Sequence, residues 1–404
     1  MAHILIYGMN YAPEFAGVGR YTGEIGEHLS EIGHDVTVVT TLPHYPGWKV
    51  LPPYRNGGYR TERQKSVKIV RCPLILRQRM HGVWRLIAPL SFAVTSAPVA
   101  LWQILLRRPV SVLCIEPTLF AAPIALLAAW IVGATTILHV QDLEIDAAFA
   151  VGHLRGAPWL KKLAYAFERL MLRRFHRVIT ISDKMAEYLS NKGVASDRIA
   201  IVRNWVDLDH VKPMEGVNPY RRELGIADKD FVVLYSGNIG AKQGLDQLLS
   251  GIVRLKDRTD IQFIIAGEGP AKAELVALFG HLDNLRFLPF QPEERLSEFL
   301  GLADMHVLPQ QSAAADFMLP SKLGGMLASG RRIVATAAVG TELAAFLEGA
   351  AVLVTPDDPA ALAEAIGRGA EDTHFGDDNP SRRRQLASQL SKADALKNLG
   401  AILV

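Results

Sequence analysis

Lys322 follows Pro320 and Ser321 and precedes an apolar run. That order carries a chemistry. Proline suits a first helical turn, where its missing N–H would have no intrahelical partner. The segment ADMHVLPQQSAAADFMLPSKLGGMLASGRRIVAT thus reads as a strand, Met305 to Leu308, then a loop of small and polar residues. A helix follows, Leu323 to Ala328, stopping at Gly330, where a left-handed turn suits glycine. A second strand starts at Ile333. Ser321 and Lys322 then sit beside free N–H groups at a helix start, a place for an anion. The segment alone also fits an ordinary strand-loop-helix.

Three more loops offer backbone to a ligand. Gly17 and Gly19 follow the strand His3 to Tyr7. Ser236-Gly237-Asn238-Ile239-Gly240-Ala241-Lys242-Gln243-Gly244 follows the strand Phe231 to Tyr235. Gly267-Glu268-Gly269-Pro270 follows Ile261 to Ala266. Glycine lets a ligand approach the main chain closely, and a following helix turns its positive end toward that ligand. None of these loops is G-x-G-x-x-G, so the dinucleotide fingerprint is missing. His139-Val-Gln-Asp142 ends a further apolar strand, Thr135 to Val140. Polar groups there face the crevice of a parallel sheet. Asp142 and His139 are candidate catalytic groups, and His139 fits equally as a hydrogen-bonded core histidine.

These loops need βα units to hold them, and the chain supplies two series. The first holds strands at His3 to Tyr7, Val36 to Thr40, Val67 to Arg71, Pro109 to Ile115, Thr135 to Val140, Val178 to Ser182 and Ile199 to Arg203. After a proline-bearing connector, Leu208 to Asn218, the pattern restarts at Phe231 and runs through Leu285 to Leu288 and Ala351 to Thr355. Repeated βα units predict a parallel sheet in each half, with ligands at the strand C-termini. Residues 41–82 read as loops around one strand, and the tail from Pro380 as helical.

With 404 residues the chain exceeds one core and suits two domains. Two cysteines, Cys72 and Cys114, argue for a reducing compartment, and no ligand-spaced Cys/His cluster suggests a metal. Met1-Ala2 leads straight into a strand, so no signal peptide is expected. The net charge of +3 hides an asymmetry. Residues 1–210 hold 24 Lys and Arg against 16 Asp and Glu, a balance of +8, while the rest balances at −5. A basic first half suits an anionic partner, although scatter gives the same count.

Two uncharged tracts, Leu86 to Leu106 and Pro117 to Leu138, are long enough to span a bilayer. Pro89 and Pro98 interrupt the first, a strand lies between the tracts, and Gly133 splits the second. Buried or interfacial helices are therefore expected. Arg77, Arg79, His81 and Arg85 form a basic cluster, and Lys162, Arg169, Arg173 and Arg177 line a helix over Trp159 to Arg177. Such a stripe can meet anionic lipid or simply be solvated.

Taken in order, PEFAGVGRY, HVQDL, VRNWVD, YSGNIGAKQGLD, AGEGP and LPSKLGGMLASGRRIVAT resemble the retaining family-four glycosyltransferases. The resemblance covers nearly the whole chain and is nearest to the exopolysaccharide subgroup, notably colanic-acid-type fucosyltransferases. It implies an α/β fold of two Rossmann-like domains facing each other across a cleft (GT-B). The domains would be an acceptor-side domain at 1–210 and a sugar-nucleotide domain at 211–380. A C-terminal helix at 381–404 would pack back on the first.

The implied reaction moves a sugar, with retention, from a GDP- or UDP-linked donor to a saccharide or a polyprenyl-diphosphate-linked acceptor in exopolysaccharide biosynthesis. No cofactor, metal or nucleic acid is implied. The place is the cytoplasm, peripheral on the inner face of the membrane. The donor would meet Gly17, Gly19, Ser236, Gly237, Asn238, Lys242, Gln243, Gly267, Gly269, Ser321 and Lys322. Asp142, then His139, would be polar contacts near the transferred sugar or the acceptor hydroxyl.

The chain departs from the family where two glutamates are usual: Phe317 and Gly325 stand there, and Asn238 and Gln243 stand where Arg and Lys are common. That departure keeps open a catalytically silent binding or scaffold protein of a polysaccharide complex. An NAD-dependent oxidoreductase or epimerase would want the missing glycine fingerprint.

Overall fold

Short apolar runs bounded by glycine and proline dictate the strands, and long-range pairing assembles them. The computed structural model describes every residue except 15–16, 46, 56, 78–83, 143–157, 241–242, 312–318 and 373–378. The chain forms two compact units, one of Met1–Arg203 with Leu396–Val404 and one of Asn204–Ala395. The sequence reading had put the boundaries at 210/211 and 380/381.

The first unit holds β1 (His3–Tyr7), β2 (Asp35–Thr41), β3 (Arg60–Gln64), β4 (Val67–Cys72), β5 (Ser111–Glu116), β6 (Thr135–Val140), β7 (Arg177–Thr180) and β8 (Ile199–Ile201). Their order is β3-β4-β2-β1-β5-β6-β7-β8, parallel throughout except for β3 against β4. β5 is buried at every position, the pattern of a strand covered on both faces. β3 corrects the expectation of one strand in residues 41–82. Its residues Arg-Thr-Glu-Arg-Gln are polar and mostly exposed, so no hydrophobic period announces them. Pairing with β4 makes them a strand.

The helix Trp84–Arg107 corrects a second expectation, because it runs unbroken through Pro89 and Pro98. Each interior proline costs about 3 kcal/mol. Against that, Ala88, Phe92, Ser96, Ala100 and Ile104, spaced by four, are fully buried. The Phe92 ring lies 5.7 Å from that of Tyr7, and the Tyr7 hydroxyl lies 2.6 Å from Ser96 Oγ. One long apolar stripe on the sheet outweighs two missing hydrogen bonds. By length and composition this is the one helix among the described residues able to cross a bilayer, with mean hydropathy 1.5 over Leu86–Arg107. The helix Pro158–Leu172 ends earlier than the expected Arg177, because β7 starts there.

The second unit holds β9 (Phe231–Ser236), β10 (Ile261–Ala266), β11 (Leu285–Leu288), β12 (Met305–Leu308), β13 (Arg332–Thr336) and β14 (Val352–Val354). They form one parallel sheet in the order β11-β10-β9-β12-β13-β14. The tail is two helices, Pro380–Gln389 and Lys392–Leu403. They part where Ser391 pairs with Val206. The last residues return to the first unit, with Gly400 against Ile32.

Candidate active site

Strand order places the candidate ligand sites. In each sheet one strand has its successor on one side and a later strand on the other, and the loops leaving that point splay apart to leave a crevice. In the second unit this point lies between β9 and β12. The loops leaving both strands are tied together there. Gln247 Nε2 donates to Gln310 O at 2.8 Å, and Gln310 N donates to Thr336 Oγ1 at 2.7 Å.

The β9 loop is built on close backbone approach. Gly237 N donates to Ala266 O at 2.9 Å and Ile239 N to Glu268 O at 2.9 Å. A Cβ on Gly267 would lie 1.8 Å from Gly237 O, and one on Gly269 would lie 2.1 Å from Ile239 O. Both positions admit only glycine. Lys272 fixes the second loop, donating to Gly267 O at 2.9 Å, Leu288 O at 3.1 Å and Glu268 Oε1 at 2.8 Å. Asn238 is exposed, and Ser236 and Gln243 are half-buried beside it.

Lys322 differs from Lys272 in having nothing to bind. Its stem is partly exposed, but its Nζ is buried and has no hydrogen-bond partner among the described residues. The Nζ lies 3.9 Å from the centre of the Tyr235 ring, a cation–π distance. A Cβ on Gly237 would meet Lys322 Cδ at 3.2 Å and Nζ at 3.5 Å. Burial pulls the ammonium down from its ordinary value to about 7. The Tyr235 hydroxyl, pushed well up by burial, donates to Asn238 O at 2.6 Å. One aromatic side chain thus holds the glycine loop with its hydroxyl and the lysine with its face. Ser321 is exposed next to it, and the helix behind spans Leu323–Ala328, as expected. Gly325 lies in that helix, and a Cβ there would meet Leu300 Cδ1 at 3.0 Å. Lys242 and Phe317 lie outside the described residues, as do Arg79 and His81 of the basic cluster.

In the first unit the reversal lies between β1 and β5. Met9 N donates to Thr118 Oγ1 at 3.2 Å, and Thr41 Oγ1 donates to Met9 O at 2.7 Å, joining three loops. Gly17 caps the helix Val18–Glu31 at φ +62°, with its Cβ direction 3.4 Å from the Tyr45 ring. Gly19 leaves room for Glu14, whose Oε2 would lie 2.6 Å from a Cβ there. Glu14 is buried and accepts from Asn10 Nδ2 at 2.9 Å, His44 N at 2.9 Å and Tyr45 N at 3.0 Å. The Tyr45 hydroxyl is pushed up by burial, then by the charges of Glu14 and Asp142. Asp142 is half-buried just past β6, and its charge reaches Tyr45.

His139 lies one layer deeper, inside β6 and buried. Its Nε2 is 3.0 Å from Gln141 Nε2. A bond between two nitrogens needs an acceptor, so Nε2 accepts and the neutral ring carries its proton on Nδ1. Burial lowers its pKa to about 4. Sequence reasoning did not single out Glu14, Tyr45 or Tyr235. The available signal was an aromatic or acid two or three residues from a glycine turn. Among the described residues no group of three His, Cys, Asp or Glu is placed to hold a metal.

Known proteins share both halves. Residues 16–205 match the family described as "Glycosyl transferase 4-like domain", and residues 230–372 match "Glycosyl transferases group 1". A protein of Escherichia coli (strain K12), named for colanic acid biosynthesis as the glycosyl transferase WcaI, is 39% identical over 376 residues. The match covers 90% of this chain and 91% of that one. The fold is shared with Anabaena Alr3699/HepE, solved with UDP and glucose, at TM-score 0.71 and 15% identity over 100% of this chain and 99% of that one. Sucrose-phosphate synthase (tll1590) from Thermosynechococcus elongatus matches at TM-score 0.72 and 15% identity, covering 100% and 98%. Matches of this kind over both sheets leave one family: the chain belongs to the group 1 glycosyltransferases, with the two Rossmann-like α/β domains of the GT-B fold.

Proposed function

We propose that the chain transfers a hexosyl group, with retention, from a UDP- or GDP-linked donor to a saccharide acceptor carried on polyprenyl diphosphate, in exopolysaccharide assembly. The observation that carries the reading is the buried Lys322 ammonium beside the Gly237 loop, at the crevice between β9 and β12, with no hydrogen-bond partner among the described residues. A leaving nucleoside diphosphate develops charge that a preorganised cation and backbone N–H groups stabilise, with no protein nucleophile and no metal required. The relative named for colanic acid biosynthesis supports the pathway class, and the UDP named with the Anabaena structure supports the donor class. Asp142, just past the end of β6 with its charge felt at Tyr45, is our candidate for the polar contact with the transferred sugar or the acceptor hydroxyl. The enzyme would work in the cytoplasm at the inner membrane face.

The test is nucleotide release from UDP- and GDP-sugars with and without a polyprenyl-diphosphate-linked saccharide, in excess chelator, with the product anomer read by NMR. Acceptor-dependent release with the donor's anomeric configuration supports the reading. An inverted product removes retention, and a requirement for metal removes the metal-free scheme. Gly325 favours a second reading, since it leaves no carboxylate where the family uses one for the ribose. Nucleotide binding with no release from any donor would make this chain a silent binding member.

A further inference from the structure

Three neighbouring helices of the first unit carry apolar side chains where a soluble surface would carry charge. β1 to β2 crosses the sheet one way, while β4 to β5, β5 to β6 and β6 to β7 cross the other way. Right-handed crossovers therefore put the helices Trp84–Arg107, Ala122–Val132 and Pro158–Leu172 together on one face, opposite Val18–Glu31. The first two pack on each other, and the Phe120 and Phe167 rings stack at 5.7 Å beside the third.

The outer stripe of Trp84–Arg107 is Leu90, Val94, Pro98, Trp102 and Leu106, every fourth residue and every one exposed. Val94 is 73% and Trp102 65% exposed. On Ala122–Val132 the outer residues are Pro123, Leu127, Trp130 and Ile131, with Trp130 80% exposed. On Pro158–Leu172 they are Trp159, Leu163 and Leu170, alternating with Lys161, Lys162 and Arg169.

Charge selects the occupant. The only acidic residue in these three helices, Glu168, is buried and paired with Lys192, so among the described residues the layer exposes cations and no anions. Exposed tryptophan with flanking Lys and Arg is the composition of an interfacial surface on anionic lipid. A partner protein would need a matching acidic rim around an apolar centre, whereas a bilayer supplies both layers at once.

We propose that this helix layer is the membrane-docking face of the enzyme, lying in the plane of an anionic bilayer with Val94, Trp102, Leu127 and Trp130 inserted. It deepens the membrane part of the reading above and leaves the donor chemistry aside.

The test is flotation of the full chain with phosphatidylglycerol/phosphatidylethanolamine vesicles, and with phosphatidylcholine alone. Wild type should float with the anionic vesicles and lose binding as salt rises past about 0.15 M, where the Debye length is near 8 Å. Trp102→Ser/Trp130→Ser, both at exposed positions, should bind at least tenfold more weakly. Lys161→Ser/Lys162→Ser should weaken binding about fivefold per cation. Brominated lipid should quench the tryptophan fluorescence of wild type more strongly than that of the Trp102→Ser/Trp130→Ser form, which keeps Trp159 on this face.

A chain that stays unbound with anionic vesicles at low salt overturns the proposal, as does a double tryptophan variant that floats like wild type. So does sedimentation showing a wild-type dimer that this variant converts to monomer, since the face would then join two copies. Nucleotide release toward a water-soluble acceptor should be equal in wild type and variant. Loss of that release in both would sink the transferase reading and leave the docking result standing.

Discussion

Removing the Lys322 ammonium should change nucleotide affinity and its pH dependence together. Its Nζ has no hydrogen-bond partner among the described residues, and a bound diphosphate would supply one. A hydrogen bond to a charged group contributes about 1.5–3 kcal/mol, which is about ten- to 150-fold in Kd. Lys322→Ala should weaken UDP or GDP by that factor at pH 7. With a pKa near 7 in the free protein, the lysine is half charged at neutral pH and recharges when an anion docks. Wild-type affinity should therefore fall about tenfold per pH unit above 7, with proton uptake on binding. The diphosphate itself is already ionised there, and the buried Tyr235 hydroxyl, pushed up, does not titrate.

The free protein should show the opposite face of the same cost. A lysine lowered from 10.5 to about 7 binds fewer protons folded than unfolded between those values. Its penalty is full below pH 7 and relieved as pH rises to 10.5, on the order of 5 kcal/mol at most. Lys322→Met should thus stabilise the unliganded chain most below pH 7. The assay is isothermal titration calorimetry in two buffers of different ionisation enthalpy, with thermal melts beside it. An Ala variant that keeps wild-type affinity and the same proton uptake would refute the assignment.

Tyr235→Phe should keep the cation–π contact and loosen only the glycine loop, whereas Tyr235→Leu should also weaken nucleotide binding, by about 1–2 kcal/mol, both read by calorimetry. Gly267→Ala should destabilise by at least about 3 kcal/mol in denaturant melts, because its methyl would sit on Gly237 O. Asp142→Asn should cut kcat at least a hundredfold with the melt and nucleotide affinity unchanged; wild-type turnover would remove it from the site. His139 and His306, buried and lowered to about 4 and about 3, stay neutral in the fold while the unfolded chain takes up protons below 6.5. Stability should therefore fall as pH drops from 6.5 toward 4, and His139→Gln should flatten part of that slope in acid melts.

Much of the framework is local and was legible in the residues. β1, β6, β10, β11 and β12 have the ends the sequence predicts, because each is a short run rich in apolar and β-branched residues closed by glycine, proline or a polar residue. Ser182, accepting from Met185 N, and Asp358, accepting from Ala360 N and Ala361 N, cap their helices as side chains of that type do. The glycine loops and Pro320-Ser321-Lys322 announced close backbone approach and a cation at a helix start.

Tertiary structure decided the rest, where the deciding partner lies far along the chain. β3 is a strand only because β4 offers it an edge. Pro89 and Pro98 stay in one helix because a sheet buries the stripe beneath them. His139 and Asp142 are three residues apart, yet the sheet buries the first as a neutral ring and leaves the second half-buried past the strand end. Lys322 meets Tyr235 across 87 residues, and that ring, with a hydroxyl committed to Asn238 O, leaves the ammonium desolvated and without an acceptor among the described residues. A lysine's identity is local, but its protonation depends on the groups the fold packs around it, and no window of sequence contains them.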